Sequence, residues 1–144
     1  MPTASGSGQQ AGGAGIVSER IFLVLGALLS ALAVAFAAWS AHALAGTLSA
    51  DDLRRFETAL RYQQWHALGL FLTGLAGTVL PGSPALRWAG WLLLAGVLLF
   101  SGSLYLLVLS GWAGWARFTP FGGMSLICGW LLLAVAVATA GRGR

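Results

Sequence analysis

The chain has 144 residues, of which 58 % are hydrophobic and only 8 % are charged, and its formal net charge is +4. Soluble domains average about 25 % charged residues, so this chain has too few charges to cover a water-facing surface. Its arginines are scattered near predicted helix ends rather than clustered on one face, which argues against a nucleic-acid partner. The composition predicts an integral membrane protein with a single domain.

Residues 1–18 are mostly Gly, Ser, Ala and Gln. Such a segment buries too little apolar surface to order itself, so we predict a disordered N-terminal tail there and a transmembrane domain over residues 19–144. The apolar run that begins at Ile21 is too long for a signal-peptide core of about 7–15 residues. The small residues Ala41 and Ala43 resemble a cleavage site, but a retained helix is the preferred interpretation.

Apolar runs separated by turn signals predict four transmembrane helices, at roughly 20–44, 62–80, 86–110 and 119–140. The second helix should begin earlier, at about residue 50, because Ser49 can cap it and the acidic Asp51 and Asp52 suit the positive end of its dipole. Residues 50–62 then form a helical extension before the second span. The predicted fold class is all-α, an integral membrane four-helix bundle.

The orientation in the membrane follows weakly from charge. Four spans place both termini on one side, and the arginines then divide four against four between the two sides. The positive-inside rule therefore does not decide the orientation. If Arg61 is used in a buried pair, the balance tips slightly toward cytoplasmic termini.

Polar side chains concentrate at the end of the bundle that faces the loops at 45–50 and 111–119. Polar groups inside a membrane are costly, so they tend to face the interior and pair with one another. A hydrogen-bonded plug that fixes the helix register and a pocket for a ligand, ion or proton both fit this pattern. The candidate binding site or buried polar cluster comprises His42, Glu57, Arg61, Tyr62, Gln63, His66, Ser101, Ser103, Tyr105 and Thr119.

Arg61 stands four residues after Glu57, in the favourable order for an ion pair on a helix. An arginine at a bilayer centre costs about 2.5–3.5 kcal/mol on insertion scales, so a retained one should have partners. We therefore predict that Arg61 anchors the polar end through Glu57 and through the hydroxyls of Ser101, Ser103 and Tyr105.

His42 and His66 should lie near the same interface, but zinc usually takes three or four protein ligands. Hydrogen bonding of each imidazole accounts for the two histidines, so we expect no metal and no haem. Cys128 lies in an apolar run and is interpreted as a buried structural thiol. The sequence contains no Gly-x-Ser-x-Gly elbow, phosphate-binding glycine loop or Cys-x-x-Cys, and we expect neither a cofactor nor enzymatic activity.

Several segments carry a resemblance to a known family: Ala41 to Leu44, Phe56 to Gln63, His66 to Leu68, Phe100 to Tyr105, Thr119 to Gly123, and Gly129-Trp130. Over about residues 20–140 the chain resembles the small bacterial membrane proteins grouped as domain of unknown function 423, which are related to a eukaryotic transmembrane family. The resemblance implies a four-helix protein of the bacterial inner membrane without an assigned activity. It also implies that the polar-end residues matter together with Pro120.

Two functions fit this sequence. One is a non-enzymatic accessory, assembly or lipid-binding protein, in contact with membrane lipids and part of a homo-oligomer or a larger membrane complex. The alternative is a conduit or binding protein for a proton, ion or small molecule. A complete path needs polar residues through both halves of the bundle, and this chain has them in one half. That favours the first function, unless an oligomer builds the path between subunits.

Overall fold

The computed structural model describes the backbone of residues 8–140 and the side chains of residues 19–140. Four long helices dominate it: α1 (Gly8–Trp39), α2 (Ala50–Val79), α3 (Pro84–Ser110) and α4 (Thr119–Ala138). A π-helical segment, Ser40–Leu44, continues α1, and a 3-10 helix, Ala113–Arg117, precedes α4. Strands are absent from the described residues. The predicted all-α class and the helical extension of α2 from residue 50 are confirmed.

Helix α1 begins at Gly8, inside the segment where the sequence predicts a disordered tail. The backbone is therefore helical over residues 8–18, where no proline interrupts the helix, although four of the eleven residues are glycines and disfavour it. Residues 1–7 of the predicted tail lie outside the described residues, as do residues 141–144. The division of the chain into a tail and a membrane domain stays a prediction.

Capping residues set the helix ends. The Ser49 hydroxyl accepts a hydrogen bond from the Asp52 backbone N–H at 3.1 Å and donates to the Asp52 carboxylate at 2.8 Å. Ser83 accepts from the Leu86 N–H at 3.3 Å at the start of α3. Gly111 ends α3 in the left-handed conformation, with φ of 68°. Each cap satisfies a backbone group that would otherwise lack a partner.

Glycines allow α1 and α2 to approach closely. A Cβ added to Gly26 would lie 2.7 Å from the backbone nitrogen of Phe71, and one added to Gly74 would lie 2.8 Å from that of Leu23. Position numbers rise along α1 as they fall along α2, so the two helices are antiparallel. Small residues at such contacts are the usual way that membrane helices bring their backbones together.

Helices α3 and α4 pack in the same manner. A Cβ on Gly122 would collide with the backbone of Phe100, and one on Gly129 would lie 3.0 Å from the Leu93 side chain. Since 122 pairs with 100 and 129 pairs with 93, these helices are also antiparallel.

Helices α2 and α3 are central, with α1 packed on α2 and α4 packed on α3. Within the described residues, α1 and α4 share at most a marginal contact, so the four helices do not close into a square. The middle of the molecule is filled by an inner apolar cluster of Phe22, Leu70, Leu93, Val97 and Leu126. A second cluster at the loop end contains Leu44, Phe56, Ala59, Tyr105 and Val108.

Three stretches are long and apolar enough to cross a membrane: Glu19–Leu44, Pro84–Ser110 and Ala113–Ala138. Helix α2 is not among them, because its first half is charged and its last 18 residues begin with Tyr62, Gln63, Gln64 and His66, which lower the mean hydropathy. The described part of the chain is therefore all-helical, with three apolar stretches long enough to span a membrane.

Candidate functional site

Gln63 on α2 joins three helices at the polar end. Its Nε2 donates to the Leu29 carbonyl on α1 at 2.9 Å, and its Oε1 accepts from the Tyr105 hydroxyl on α3 at 2.9 Å. The side chain is only 2 % exposed. An amide at this depth is tolerated because both of its ends are paired.

Three hydroxyls connect the remaining helices. Ser101 on α3 donates to the Ala59 carbonyl on α2 at 2.8 Å. Ser103 donates to the Phe100 carbonyl at 3.0 Å and lies 2.8 Å from the Thr119 hydroxyl on α4. Because the Ser103 proton is used by the carbonyl, Thr119 is the donor in the second bond.

We call this set the polar layer: Gln63, Ser101, Ser103, Tyr105 and Thr119. In the part of the chain that the structure describes, every buried side-chain nitrogen or oxygen has a hydrogen-bond partner. The layer therefore has the properties of the hydrogen-bonded plug predicted from the sequence. That members of this layer bind a ligand stays a prediction.

The start of α4 marks the position of the polar layer along the bundle. Helix α4 has 20 residues. That length corresponds to about 30 Å, the thickness of a hydrocarbon core. Since Thr119 is the first residue of α4 and is bonded to Ser103, the layer lies at the loop end of α4. The inner apolar cluster lies below it, toward the termini side.

Glu57 and Arg61 lie outside the polar layer, exposed on the outer face of α2. The ion pairs found among the described residues do not include one between them. The prediction that Arg61 anchors the polar end is therefore wrong. The inner face of α2 carries Phe56, Ala59 and Gln63, and the neutral amide of Gln63 costs less to bury than a guanidinium. Because Arg61 is exposed, a buried Arg61 no longer supports cytoplasmic termini.

The other predicted residues lie at the edge of the layer. His42 is exposed in the π-helical segment, and Tyr62 is exposed and stacked on Phe100, with 4.3 Å between ring centroids. His66 is half-buried; its Nδ1–H donates to the Tyr62 carbonyl at 2.6 Å, and its ring meets the edge of Trp130 at 6.2 Å. Within the described residues, no three His, Cys, Asp or Glu side chains are placed to hold a metal. The expectation of no haem and no metal stays a prediction.

Cys128 is exposed on α4, so its interpretation as a buried thiol is wrong. The run around it is apolar on every side of the helix. One side packs on α3, and the other faces outward, where a membrane helix is also apolar. Hydropathy alone cannot separate these two environments.

An aromatic cluster next to the polar layer was not predicted from the sequence. The ring of Tyr105 lies 4.9 Å from that of Phe36 on α1 and 4.8 Å from that of Phe56 on α2, centroid to centroid. These ring contacts hold the Tyr105 hydroxyl where it donates a hydrogen bond to the Gln63 Oε1. The signal available in the sequence is the spacing of Phe56, Ala59 and Gln63, which follows one helical face.

Two grooves open on the outer surface. The α1–α2 groove has a volume of about 370 Å³ and is lined by Ser30, Val34, Gln64, Trp65 and Leu68. The second groove, of about 380 Å³, lies beside the start of α2 and is lined by Asp51, Arg54, Arg55, Thr58 and Leu104. No pattern in the sequence predicts either groove, because both depend on how neighbouring helices are offset.

Residues 36–123 match the family described as "Protein of unknown function (DUF423)". The matched segment covers more than half of the chain and contains the whole polar layer. The chain belongs to this family. The resemblance noted from the sequence is confirmed, and the family description assigns no activity.

Named relatives of this DUF423 protein agree with that membership. UPF0382 membrane protein SH2409 of Staphylococcus haemolyticus (strain JCSC1435) is 43 % identical over 117 residues, which cover 81 % of this chain and 93 % of the relative. UPF0382 membrane protein YwdK of Bacillus subtilis (strain 168) is 38 % identical over 117 residues, covering 81 % and 95 %. Both are named as membrane proteins, in keeping with the three apolar spans. No solved structure matches the chain.

Proposed function

We propose that this DUF423 protein acts through its outer surface, as a non-enzymatic accessory, assembly or lipid-binding protein of the membrane. The observation that supports this is the state of the polar layer. Its side chains are hydrogen-bonded to helix carbonyls and to one another. A layer paired in this way holds helices in position, and each of its buried polar atoms already has a partner in the described part of the chain.

The inner apolar cluster argues against the alternative, a conduit for a proton, ion or small molecule. Its five side chains are each at most 3 % exposed and lie between the polar layer and the termini side. An ion that entered the polar layer would next meet this apolar cluster, and the hydroxyls of Thr73 and Ser125 on that side are already bonded to helix carbonyls. Moving a charge past such side chains carries a large desolvation cost.

We also propose that α2 is the fourth span, which gives a four-helix transmembrane bundle in the bacterial inner membrane. Helix α1 is antiparallel to α2, and α3 returns from α2 through the turn at 80–83. The end of α1 and the start of α3 therefore lie at opposite ends of the molecule, and α2 joins them. Its second half is mostly apolar, and Ala67 and Leu70 there are fully buried.

Reconstitution into liposomes tests the surface role against the conduit. We expect proton flux, measured with an internal pH dye under a potassium gradient with valinomycin, to equal that of protein-free vesicles. A proton carrier added at the end shows that the vesicles held their gradient. Flux above background that disappears in Gln63→Leu would contradict the proposal.

Native mass spectrometry of the protein in mild detergent tests whether its surface binds lipid or a partner. We expect the protein to retain membrane lipid or to sit in a defined oligomer or complex. A bare monomer that retains no lipid and binds no partner after gentle extraction would count against a role at the surface.

A further inference from the structure

The outer face of α2 carries an ordered series of side chains. Glu57, Arg61, Gln64, Trp65 and Leu68 are all exposed, and their spacing of three or four residues places them on one stripe of the helix. From the loop end toward the termini side, the stripe changes from charged to amphipathic to apolar. This is the order of groups that a phospholipid presents along the membrane normal.

The lower part of the stripe forms one wall of the α1–α2 groove. Gln64, Trp65 and Leu68 face Ser30 and Val34 of α1 across a volume of about 370 Å³. The walls are mainly apolar, and the groove opens to the outside of the molecule where α2 becomes apolar. Such a groove suits an acyl chain.

Hydrogen bonds fix the depth of Arg61. Ser101 of the polar layer is bonded to the Ala59 carbonyl, two residues before Arg61. With α4 as a membrane span, the Thr119 level is the loop-side boundary of the core, and the Arg61 backbone lies about 6 Å inside it, within reach of the lipid phosphates for its long side chain. Long side chains on a helix lean toward its N-terminus, which on α2 is the direction of water. Glu57 is one turn further out, about 6 Å along the axis.

We infer that this surface binds one aminophospholipid, with an acyl chain in the α1–α2 groove, its phosphate on Arg61 and its primary ammonium on Glu57. The order of Arg61 and Glu57 along the helix matches that of the lipid charges, because the phosphate of such a lipid is nearer the core and the amine is further out. A guanidinium is suited to a phosphate, since it presents several N–H donors in one plane. The carboxylate of Glu57 disfavours lipids whose headgroup has no cation. This inference rests on the proposed surface role.

The other arginines of α2 differ from Arg61. Arg54 is paired with Asp51, and Arg55 is paired with Asp52 at 2.7 Å. Their charges are already compensated, whereas no ion pair to Arg61 occurs among the described residues. Arg54, which is also exposed on α2, is therefore a matched control.

Native mass spectrometry with added lipid tests the site. The delipidated protein is titrated separately with phosphatidylethanolamine, phosphatidylglycerol and phosphatidylcholine of the same chain length. We expect phosphatidylethanolamine to bind about tenfold more tightly than phosphatidylglycerol, as one charge-assisted hydrogen bond allows. Phosphatidylcholine should also bind less tightly, because its quaternary amine has no N–H to donate.

Variants separate the parts of the site. Arg61→Gln should weaken binding of phosphatidylethanolamine about tenfold or more, and Arg61→Lys should weaken it less, since lysine keeps the charge. Glu57→Gln should abolish the preference for phosphatidylethanolamine over phosphatidylglycerol. Arg54→Gln should leave both affinities unchanged.

Equal binding of the three lipids to the wild-type protein would overturn the inference, and so would an equal loss in Arg54→Gln and Arg61→Gln. Either result concerns this site alone. The surface role would still be judged by the flux measurement and by whatever lipid or partner the protein retains.

Discussion

Gln63 is the residue through which α2 is bonded to both α1 and α3, and its replacement tests the polar layer. Gln63→Leu leaves the Tyr105 hydroxyl, in a side chain only 8 % exposed, without its acceptor. We expect the free energy of unfolding in detergent to fall by about 1–3 kcal/mol. In a double-mutant cycle with Tyr105→Phe, the coupling should be about 0.6 kcal/mol and at most about 1.7 kcal/mol, the average and the maximum for hydrogen bonds between membrane helices.

Gln64→Leu is the control for that cycle, because Gln64 is the exposed neighbour of Gln63 and, within the described residues, makes no side-chain hydrogen bond to another helix. Its effect should stay within about 0.5 kcal/mol. Simple additivity of Gln63→Leu and Tyr105→Phe would show that the two side chains do not depend on one another, and the polar layer would lose its central bond.

The sequence predicts the members of the polar layer better than it predicts their partners. Gln63, Ser101 and Tyr105 are conspicuous because they are polar groups in apolar runs. The sequence does not show whether Arg61 or Gln63 is the inward side chain. Two positions that are two residues apart point to nearly opposite sides of a helix, and contacts with α1 and α3 decide which one faces inward. Those contacts are not visible in the sequence of α2 itself.

At the scale of the helices, close packing of α1 on α2 predicts a strong effect of a single methyl group. In Gly26→Ala the new Cβ would lie 2.7 Å from the Phe71 nitrogen and 2.8 Å from the Ala67 carbonyl oxygen, both of which are backbone atoms. The helices must move apart, and we expect a loss of about 1–3 kcal/mol in unfolding free energy. Thermal unfolding in detergent measures this loss.

Gly102→Ala provides the comparison, because a Cβ at Gly102 meets nothing within 4 Å. Alanine is a better helix former than glycine, so this variant should be unchanged or stabilised by up to about 1 kcal/mol. If the two variants had the same stability, α1 and α2 would not be in the close contact described.

The start of α2 lies outside the apolar spans and is held by its cap. The hydrogen bond from the Ser49 hydroxyl, and then that from Arg55, hold the pKa of the Asp52 carboxyl below its ordinary value. A lowered pKa in the folded state means that Asp52 stabilises the fold above its unfolded pKa, and that this contribution is lost as the pH falls through the folded pKa. Ser49→Ala should raise the pKa of Asp52, as followed by carboxyl NMR titration.

The same substitution removes a bond to the backbone of α2, and loss of an N-cap costs about 1 kcal/mol of helix stability. Thr58→Ala is a suitable control, because Thr58 is an exposed hydroxyl further along the same helix and does not contact Asp52. An unchanged Asp52 pKa in Ser49→Ala would contradict the role of this cap.

At the scale of the whole molecule, the sequence predicts the helices but not their arrangement. Apolar runs and turn residues set the helix positions, and these agree with the structure to within a few residues except at the start of α1. The open packing of α1 and α4, the α1–α2 groove and the exposure of Cys128 were not predicted. In a membrane both the packed and the lipid-facing sides of a helix are apolar, so hydropathy does not reveal which side is which.

The four-span arrangement makes a prediction about sidedness that a three-span arrangement does not share. In a Cys128→Ser background, single cysteines are placed at Gly46 and Ala116 in the two loops of the polar end, and at Pro81 in the turn after α2. If α2 crosses the membrane, Gly46→Cys and Ala116→Cys react together with a membrane-impermeant maleimide, and Pro81→Cys reacts only from the other side. Lysed membranes, in which all three should react, are the control. If α2 instead lay along the surface, Gly46→Cys and Pro81→Cys would react from the same side, and the bundle would have three spans.

Labelling of intact cells also gives the orientation, which the arginine count of four against four leaves open. Cytoplasmic termini require that Gly46→Cys and Ala116→Cys are the pair that reacts in intact cells.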